Sequence, residues 1–524
     1  MKKIFLLLTF FSATHLFSQE NAHSSMLFSS LNKKSISQLF AFYKAYPNST
    51  LGEQARTQAW ELINLYRDQP WDTLSSLLIP DIHLMGLVSL INGPSKIENR
   101  ALSKQHLLQI QQFSSHLANR KLEGFNTLDK ERVVQLPTEQ IDLSRAMLLF
   151  SYDESSPDFE EKILQFEATL DLMALQILAY LPKNATALDK IRTINQFIFF
   201  EQGFRFPPHS LWAQDIHTYT FLPSVLDSRK GVCLGVSILY LSLAQRLDLP
   251  LEIITPPGHI YIRYKGEKGL RNIETTARGI HLPSYHYLGI NTRNLQKRTM
   301  KEVVGLAFIN QASVSWQAGH FDKTIDLYKK ASLFIHDNPL LNMLLGYNHL
   351  FVGETDKGTA LLKTIVGKPF DHACTHERTP EDFIQGKVDG DSIRTLFTSV
   401  DDSRESIVRK KDLLQSVIKK YPLFRDGYYQ LGVCYLQLSQ LEEAYNTLLS
   451  FHKIDNSHPV VEYYLSMLCL KKYAYSSAWK HFYRCQKLLK QRKHSPYCLK
   501  QLAQGLRQAY PDPLRHKEAF FKSD

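Results

Sequence analysis

Small residues recur at an interval of 34 in the C-terminal part of the 524-residue chain, from Ala312 to Ala478. The pairs separated by this interval are Ala312 and Gly346, Gly319 and Gly353, Gly432 and Ser466, and Ala444 and Ala478. Bulky residues follow at matching offsets, namely Phe321 and Tyr328, Leu441 and Leu448, and Tyr475 and Phe482. Small residues let two helices approach closely, and bulky residues fill the space between them. The interval therefore predicts helix–turn–helix units that bury a shared core by stacking.

This pattern resembles the tetratricopeptide repeat, although no copy matches the full consensus. The units fall into two pairs, repeats 1–2 at 299–366 and repeats 3–4 at 413–512, separated by an insertion over 367–412. The resemblance implies a C-terminal α-solenoid whose concave face binds a protein or peptide partner.

The charge distribution gives no indication of nucleic-acid binding. The formal net charge is +11, but the 62 lysines and arginines are interspersed with 51 acidic residues and form no long basic run. A nucleic-acid interface needs clustered basic residues. We therefore expect a solvated basic surface and no nucleic-acid partner.

The first 18 residues have the composition of a secretory signal peptide. Two lysines precede an apolar stretch over Ile4–Phe11, and small residues follow, with cleavage expected after Ser18. A buried N-terminal helix is the alternative. No later segment offers ~18 uncharged apolar residues, so we expect no transmembrane segment in the mature chain. The sequence thus predicts an exported protein, periplasmic or secreted, whose residues 19–137 form an N-terminal helical region.

Six cysteines in a chain of this length do not make a disulfide framework. Cys233 stands alone in the middle of the chain, and the other five lie in the last third. Cys469 and Cys485 fall on the two helices of one repeat, where packing is a simpler role than pairing. An isolated thiol in an oxidising compartment is exposed to oxidation, so its presence is informative.

The middle of the chain predicts an α+β core, in which helices pack on a small antiparallel sheet, over residues 138–298. The periodicity predicts helices at Gln140–Phe150, Phe159–Leu181, Ala187–Phe200 and Cys233–Leu247, the last of them apolar nearly all round and therefore buried. Alternation predicts strands at Leu251–Thr255, His259–Tyr264 and Leu270–Thr275. A Pro-Pro-Gly turn precedes the second strand.

Cys233 lies where a helix is expected to begin, and the unsatisfied amides there favour a thiolate. Gly231 is expected to let the backbone turn sharply into this helix. A four-residue hairpin loop over Lys265–Lys268 would place Glu274 opposite His259 and Asn272 opposite Tyr261. A carboxylate beside the imidazole can fix its tautomer and stabilise its charged form.

A cysteine at a helix start, a histidine on the following strand and an acidic residue on the next strand resemble the transglutaminase-like superfamily, which is related in fold to papain-type cysteine proteases. More narrowly, the chain resembles a bacterial branch in which such a core is followed by tetratricopeptide repeats. The resemblance covers roughly residues 138–295 and is carried by Ala187–Phe204, Phe221–Cys233, Pro257–His259 and Asn272–Glu274.

The resemblance implies a hydrolase or acyltransferase that acts on an amide or peptide bond through a thioester. Cys233 would be the nucleophile, His259 the general base and acid, and Glu274 the orienting carboxylate. The backbone N–H of Cys233 would contribute to an oxyanion hole, with Asn195 and Gln202 as candidates for the second donor.

Two features depart from the family pattern. The third position is more often Asp than Glu, and this branch often replaces the cysteine, which leaves a non-catalytic fold. Taken alone, Cys233 is an ordinary core residue, His259 a strand-edge histidine and Glu274 a surface carboxylate. The alternatives are therefore an inactive core on an exported interaction scaffold, or a redox-sensitive binding module.

His372-Ala-Cys-Thr-His376 places three potential metal ligands close together in the sequence. The segment has no fourth ligand at a set spacing, and it lies in the predicted insertion. We assign no metal and no cofactor from the sequence.

Overall fold

The computed structural model describes residues 22–66, 84–92, 102–207, 218–267, 269–401 and 403–512, so the predicted signal peptide lies outside the described residues. The chain folds into two compact units. The first contains the described residues within Met1–Pro207, Tyr219–Leu251 and Thr275–Gly279. The second contains those within Pro208–Thr218, Glu252–Glu274 and Ile280–Asp524.

The first unit is helical. A helical stretch over 22–30 precedes its named helices. These are α1 (Ile36–Ala45), α2 (Thr50–Ile63), α3 (Leu84–Asn92), α4 (Lys104–Phe113), α5 (Lys130–Gln135), α6 (Leu143–Ser151), α7 (Phe159–Tyr180), α8 (Ala187–Asn195), α9 (Leu222–Ser228) and α10 (Cys233–Arg246). The predicted helix Ala187–Phe200 is thus α8, which continues as a π-helix over Gln196–Glu201.

Helix α7 is the central element of the first unit, where it packs against α2, α3, α4, α6 and α10. In the described part of the chain it is the one helix long and apolar enough to cross a membrane, and 78% of its apolar window is buried inside the protein. It also carries two buried carboxylates. Glu167 forms a two-pronged ion pair with Arg145, and Asp171 pairs with Arg246 of α10 at 2.8 Å. These pairs are typical of a core helix that must satisfy its charges within the protein.

The sheet belongs to the second unit and has four strands in the order β3-β2-β1-β4. Its strands are β1 (Glu252–Thr255), β2 (Tyr261–Gly266), β3 (Gly269–Ile273) and β4 (Gln296–Arg298). All three pairings are antiparallel, as predicted. The fourth strand was not evident from the sequence, because three residues are too few to show alternation.

The predicted register of the hairpin is wrong by two residues. Asn272 faces Arg263, not Tyr261, and Gly266 pairs with Gly269. The loop is therefore two residues long and not four. Gly269 has φ +113°, a conformation that favours glycine and permits this tighter turn. Because side chains alternate with a period of two, a slip of two residues leaves each side chain on its predicted face.

The helices of the second unit form antiparallel pairs at the predicted repeats, giving a tetratricopeptide-like array. The pairs are α11 (Met300–Gln317) with α12 (Phe321–Ser332), α13 (Pro339–Phe351) with α14 (Thr355–Lys363), α18 (Arg425–Gln437) with α19 (Leu441–Ile454), and α20 (Pro459–Lys471) with α21 (Tyr475–Gln491). Helices α15 (Thr379–Ile384), α16 (Gly390–Leu396) and α17 (Arg404–Lys420) lie between the second and third pairs, and α22 (Tyr497–Ala509) follows the last.

Three of the small residues at the 34-residue interval are in close contact with the partner helix. A Cβ atom at Gly346 would lie 2.9 Å from the Leu362 side chain, and one at Gly432 would lie 2.7 Å from that of Leu448. Ser466 is buried and donates its hydroxyl to the carbonyl of Ala478 at 2.8 Å. At these three positions the interval marks a site where paired helices touch.

The turn within each repeat has one geometry. Its left-handed residues are Gly319, Gly353, Ser439 and Tyr473, with φ between +59° and +82°. The following amide donates to a carbonyl five residues earlier, as in His320 to Ser315 and Gln440 to Tyr435. This is the Schellman arrangement, which satisfies carbonyls at a helix end. Glycine adopts it without strain, whereas Ser439 and Tyr473 do not.

We expect Ser439→Gly to stabilise the protein by about 1 kcal/mol, because Ser439 is exposed and holds a left-handed conformation. Gly319→Ala at the equivalent position is the matched control and should destabilise, although its added methyl group meets no atom within 4 Å. Thermal unfolding followed by circular dichroism measures both. A shift of the two melting temperatures in the same direction would contradict this account of the turn.

Candidate active site

Cys233 is the first residue of α10, in the first unit, and is half-buried. The preceding residue, Val232, has extended backbone and provides no side-chain cap. Within the described residues, the backbone amides of Cys233, Leu234 and Gly235 have no hydrogen-bond acceptor. The start of α10 therefore presents unsatisfied donors beside the thiol, an arrangement that favours negative charge.

The approach to α10 differs from the prediction. The residue with left-handed backbone is Arg229, at φ +54°, and not Gly231. Gly231 is constrained by packing, since a Cβ atom there would lie 2.6 Å from the side chain of Val236. Its amide donates to the Arg205 carbonyl at 3.1 Å, and the Arg205 amide donates to that of Arg229. These contacts fix the entry of the chain into the helix that begins at Cys233.

His259 is positioned by the predicted turn. Its amide donates to the Pro256 carbonyl at 3.1 Å, and Gly258 has φ +70°. Pro257 and Gly258 thus occupy the central positions of a type II turn, where these two residue types are preferred. The strand begins two residues after His259, at Tyr261, and not at His259 as predicted. His259 therefore lies on a turn at the end of the sheet.

Glu274 is the residue that binds His259. The Nε2 atom of His259 lies 2.8 Å from Oε2 of Glu274, within the second unit. The carboxylate is buried and the imidazole is partly exposed. Oε2 also accepts the hydroxyl of Tyr287, and burial together with this bond raises the pKa of Tyr287. Two of the three predicted site residues are therefore in contact, while Cys233 belongs to the other unit.

Tyr287 is a site residue that the sequence did not reveal. Its ring stacks between His259 and Tyr261, with centroid distances of 5.8 and 4.7 Å and interplanar angles of 19°. It follows Glu274 by 13 residues in a segment without strand or helix periodicity. Its phenol ring and hydroxyl hold both members of the His259–Glu274 pair.

The sheet supports this pair through a second set of hydrogen bonds. Arg263 donates to Asn272, to the hydroxyl of Tyr261 and to Ser284, at 2.7–2.9 Å. Asn272 donates to the carbonyl of Leu282 at 2.6 Å. The observed register makes this network possible, because it places Arg263 directly opposite Asn272.

The two candidates for a second oxyanion donor each make a side-chain hydrogen bond within the first unit. The side-chain amide of Asn195 donates to the carbonyl of Gly279 at 3.3 Å, and Gln202 accepts from Arg229 at 3.1 Å. Nearer to Cys233 in the sequence, Ser237 of α10 bonds Thr275 at 3.0 Å. Thr275 directly follows Glu274 in the chain.

Residues 164–307 match the model of the transglutaminase-like superfamily. The chain contains a transglutaminase-like domain. The match includes all of the residues described above, from Asn195 to Tyr287. A comparison with curated proteins finds no match.

Solved structures share some likeness with the chain. MamA from Desulfovibrio magneticus has 14% identity and a TM-score of 0.20, with 36% of this chain and 96% of that chain covered. A thermophilic tetratricopeptide-repeat protein from Thermus thermophilus has 17% identity and a TM-score of 0.20, with 39% and 98% covered. The evidence for helical repeats here is the pairing of this chain's own helices.

The histidines and cysteine of the predicted insertion do not form a metal-ligand group in the described part of the chain. Burial lowers the pKa of His372 and of His376, and it raises the pKa of Cys374 to about 11. The group that does converge is His452, Glu462 and His481, on α19, α20 and α21.

That second group is held by hydrogen bonds. The Nδ1 atoms of His452 and His481 lie 2.5 and 2.8 Å from the two oxygens of Glu462, which is buried. In each imidazole, the Nδ1 atom, which is a potential metal ligand, therefore points at the carboxylate of Glu462. The trio connects three helices of the repeats, and spacing along the sequence could not reveal it.

Tyr287→Phe should raise the pKa of the His259 imidazole by about half a pH unit or more. Without the Tyr287 hydroxyl, the Glu274 carboxylate accepts one hydrogen bond fewer, so its negative charge stabilises the imidazolium of His259 more strongly. Glu274→Gln should lower that pKa by about one unit, because it removes the charge. Histidine titration by NMR, with the His259→Ala spectrum for assignment, measures both.

Tyr285→Phe is the matched control, since Tyr285 contacts His286 and Tyr497. It should leave the titration of His259 unchanged. If the His259 titration curves of Tyr287→Phe, Glu274→Gln and Tyr285→Phe all matched that of the unmodified protein, this would show that Glu274 does not interact with His259 in solution.

Proposed function

We propose that the transglutaminase-like domain is a cysteine-dependent hydrolase or acyltransferase that acts on an amide or peptide bond. Cys233 is the nucleophile, His259 the general base and acid, and Glu274 the orienting carboxylate. The observation that supports this assignment most is the 2.8 Å bond between His259 and the buried Glu274. A buried carboxylate with an imidazole partner is the part of a catalytic triad that a chance surface histidine lacks.

The reaction follows the chemistry of an activated thiol. The Cys233 sulfur attacks the carbonyl carbon, and the carbonyl oxygen takes the negative charge of the tetrahedral intermediate. Collapse of this intermediate forms the thioester and expels the amine, which His259 protonates. Water or an acceptor amine then attacks the thioester, gives its proton to His259 and releases the thiolate. Hydrolysis and transfer differ only in the identity of this second nucleophile.

Two local features support the assignment of roles. Because Nε2 of His259 bonds Glu274, the other ring nitrogen, Nδ1, is assigned the role of exchanging protons with Cys233 and the substrate. The amides at the start of α10 have no acceptor among the described residues and offer donors for the developing oxyanion. Helix α10 thereby contributes both the nucleophile and part of the charge stabilisation.

Reactivity of Cys233 towards iodoacetamide tests the proposal directly. Mass mapping of peptides gives the alkylation rate of each of the six cysteines between pH 5 and 10. We expect Cys233 to react well below pH ~8.5, the usual thiol pKa, and His259→Ala to shift its profile to that value or higher. Cys374 is an internal control, because burial raises its pKa to about 11 and it should react only at high pH.

A Cys233 that reacts no faster than Cys374 would contradict the enzyme proposal. It would favour the second candidate, an interaction scaffold with an inactive core, which the paired helices of the repeats support. Tyr285→Phe serves as a control for general effects of substitution on the profile.

We further propose that the protein is exported, on the basis of the N-terminal composition alone. Expression with the natural N-terminus, followed by mass measurement of the mature chain, tests this. A chain that begins at Gln19 supports export, and retention of residues 1–18 contradicts it.

A further inference from the structure

A cavity of about 510 Å³ lies within the second unit, apart from the residues of the proposed triad. Helices α13, α18 and α20 of the repeats supply part of its wall. The predicted insertion supplies another part, through residues 375–379, Leu396, Phe397 and Lys410, and Ile290 and Asn291 also line the cavity. This volume is in the range of cavities that hold small ligands.

The arginines near the cavity are already paired with carboxylates. Arg378 bonds Asp455 and Ser457, and Arg425 bonds Asp382 and Glu381. Their positive charge is therefore largely compensated within the protein.

Two further carboxylates line the cavity without a basic partner in hydrogen-bond contact. Asp426 accepts the hydroxyl of Thr379, and Glu377 makes no hydrogen bond or ion pair within the described residues. Burial and the charge of Asp426 raise the pKa of Glu377 to about 7, and burial also raises that of Asp426. Both carboxylates would gain from a cation between them.

Aromatic rings flank the same two carboxylates. Tyr347 and Tyr429 line the cavity, and burial together with Glu377 and Asp426 raises the pKa of both phenols. The face of an aromatic ring attracts an ammonium group. The carboxylates and rings together are suited to hold a positive charge.

A basic group also lines the cavity. Lys410, on α17, makes no hydrogen bond or ion pair within the described residues, and burial lowers its pKa. Lys410 and Glu377 come from different elements of the cavity wall, the first from α17 and the second from the segment before α15, so each can bind a different end of one ligand.

We propose that the cavity binds a short peptide with both termini free, holding its ammonium at Glu377 and Asp426 and its carboxylate at Lys410. The ligand would satisfy the two groups that the protein leaves without a partner. The volume accommodates a peptide of roughly two to four residues. This function is distinct from the proposed chemistry at Cys233.

Calorimetric titration of the full chain with Ala-Ala and two blocked forms tests the proposal. N-acetyl-Ala-Ala lacks the ammonium, and Ala-Ala amide lacks the carboxylate. We expect each blocked form to bind at least tenfold more weakly than Ala-Ala. Equal affinity of the three compounds, or no binding of Ala-Ala at millimolar concentration, would overturn the proposal without any variant being made. Free alanine and Ala-Ala-Ala, titrated in parallel, distinguish a single amino acid from a peptide as the preferred ligand.

Variants of the cavity test which side chain binds each end of the ligand. Glu377→Gln should weaken Ala-Ala and Ala-Ala amide about tenfold but leave N-acetyl-Ala-Ala unchanged. Lys410→Met should weaken Ala-Ala and N-acetyl-Ala-Ala but leave the amide unchanged. Glu405→Gln and Lys419→Met are matched controls on exposed positions of α17 and should have no effect. Loss of binding of all three compounds in a folded variant would contradict the assignment of that group.

Binding should also depend on pH in a defined direction. Below pH 7 Glu377 is protonated in the free protein, so the affinity for Ala-Ala should fall by up to tenfold per pH unit. Above pH ~8 the peptide loses its ammonium proton and binding should weaken again. His458 and His376 also line the cavity, but burial lowers the pKa of both, that of His458 to about 3. Arg378, which lines the cavity as well, is paired with Asp455.

The Glu377→Gln variant should lose the dependence below pH 7, and an unchanged profile would show that another group controls it. Cys233→Ser should bind Ala-Ala with the affinity of the unmodified chain. Failure of alkylation at Cys233 and failure of peptide binding are therefore separate outcomes.

Discussion

The first unit depends on the ion pair between Asp171 and Arg246. Both side chains are fully buried, one on the central helix α7 and the other at the end of α10. Asp171 also binds Arg120 and Ser114. Loss of Asp171 would leave the buried guanidinium of Arg246 without its ion-pair partner, at a cost of about 3–5 kcal/mol. Since α10 is apolar around almost its whole circumference, hydrophobic packing alone would not select one rotation of this helix. The pair, together with the hydrogen bond between Ser237 and Thr275, distinguishes one side of the helix from the others and so helps to set the rotation at which α10 holds Cys233.

The sequence allowed the repeats, the buried helix and the antiparallel strands to be predicted, because each has a period set by backbone geometry. It also allowed His259 and Glu274 to be paired, although the hairpin register was wrong by two residues. The error left the contact intact because a slip of two residues keeps Glu274 on its predicted face, where His259 reaches it from the turn before β2. Tyr287 could not be predicted, since no periodicity connects it with His259. The cavity was equally inaccessible, because it is built from residues of the predicted insertion and of non-consecutive repeat helices.

Two glutamates show how strongly the surroundings decide what a carboxylate can do. Glu274 accepts hydrogen bonds from His259 and Tyr287, and these bonds fix its position. Glu377 has neither kind of donor, and burial disfavours its ionised form. The first is suited to orient another residue. The second is suited to change its protonation when a positive charge arrives.

The surroundings of the five cysteines other than Cys233 affect how readily oxidants react with their thiols. Cys434, Cys469 and Cys485 are buried, and burial raises the pKa of each. Oxidants attack the thiolate, so these sulfurs are protected twice, by access and by protonation. Cys374 and Cys498, although partly exposed, also have raised pKa values. These five thiols are therefore poor targets for peroxide. If Cys233 is the nucleophile proposed above, the lifetime of the activity would be the lifetime of that one sulfur atom in its reduced form.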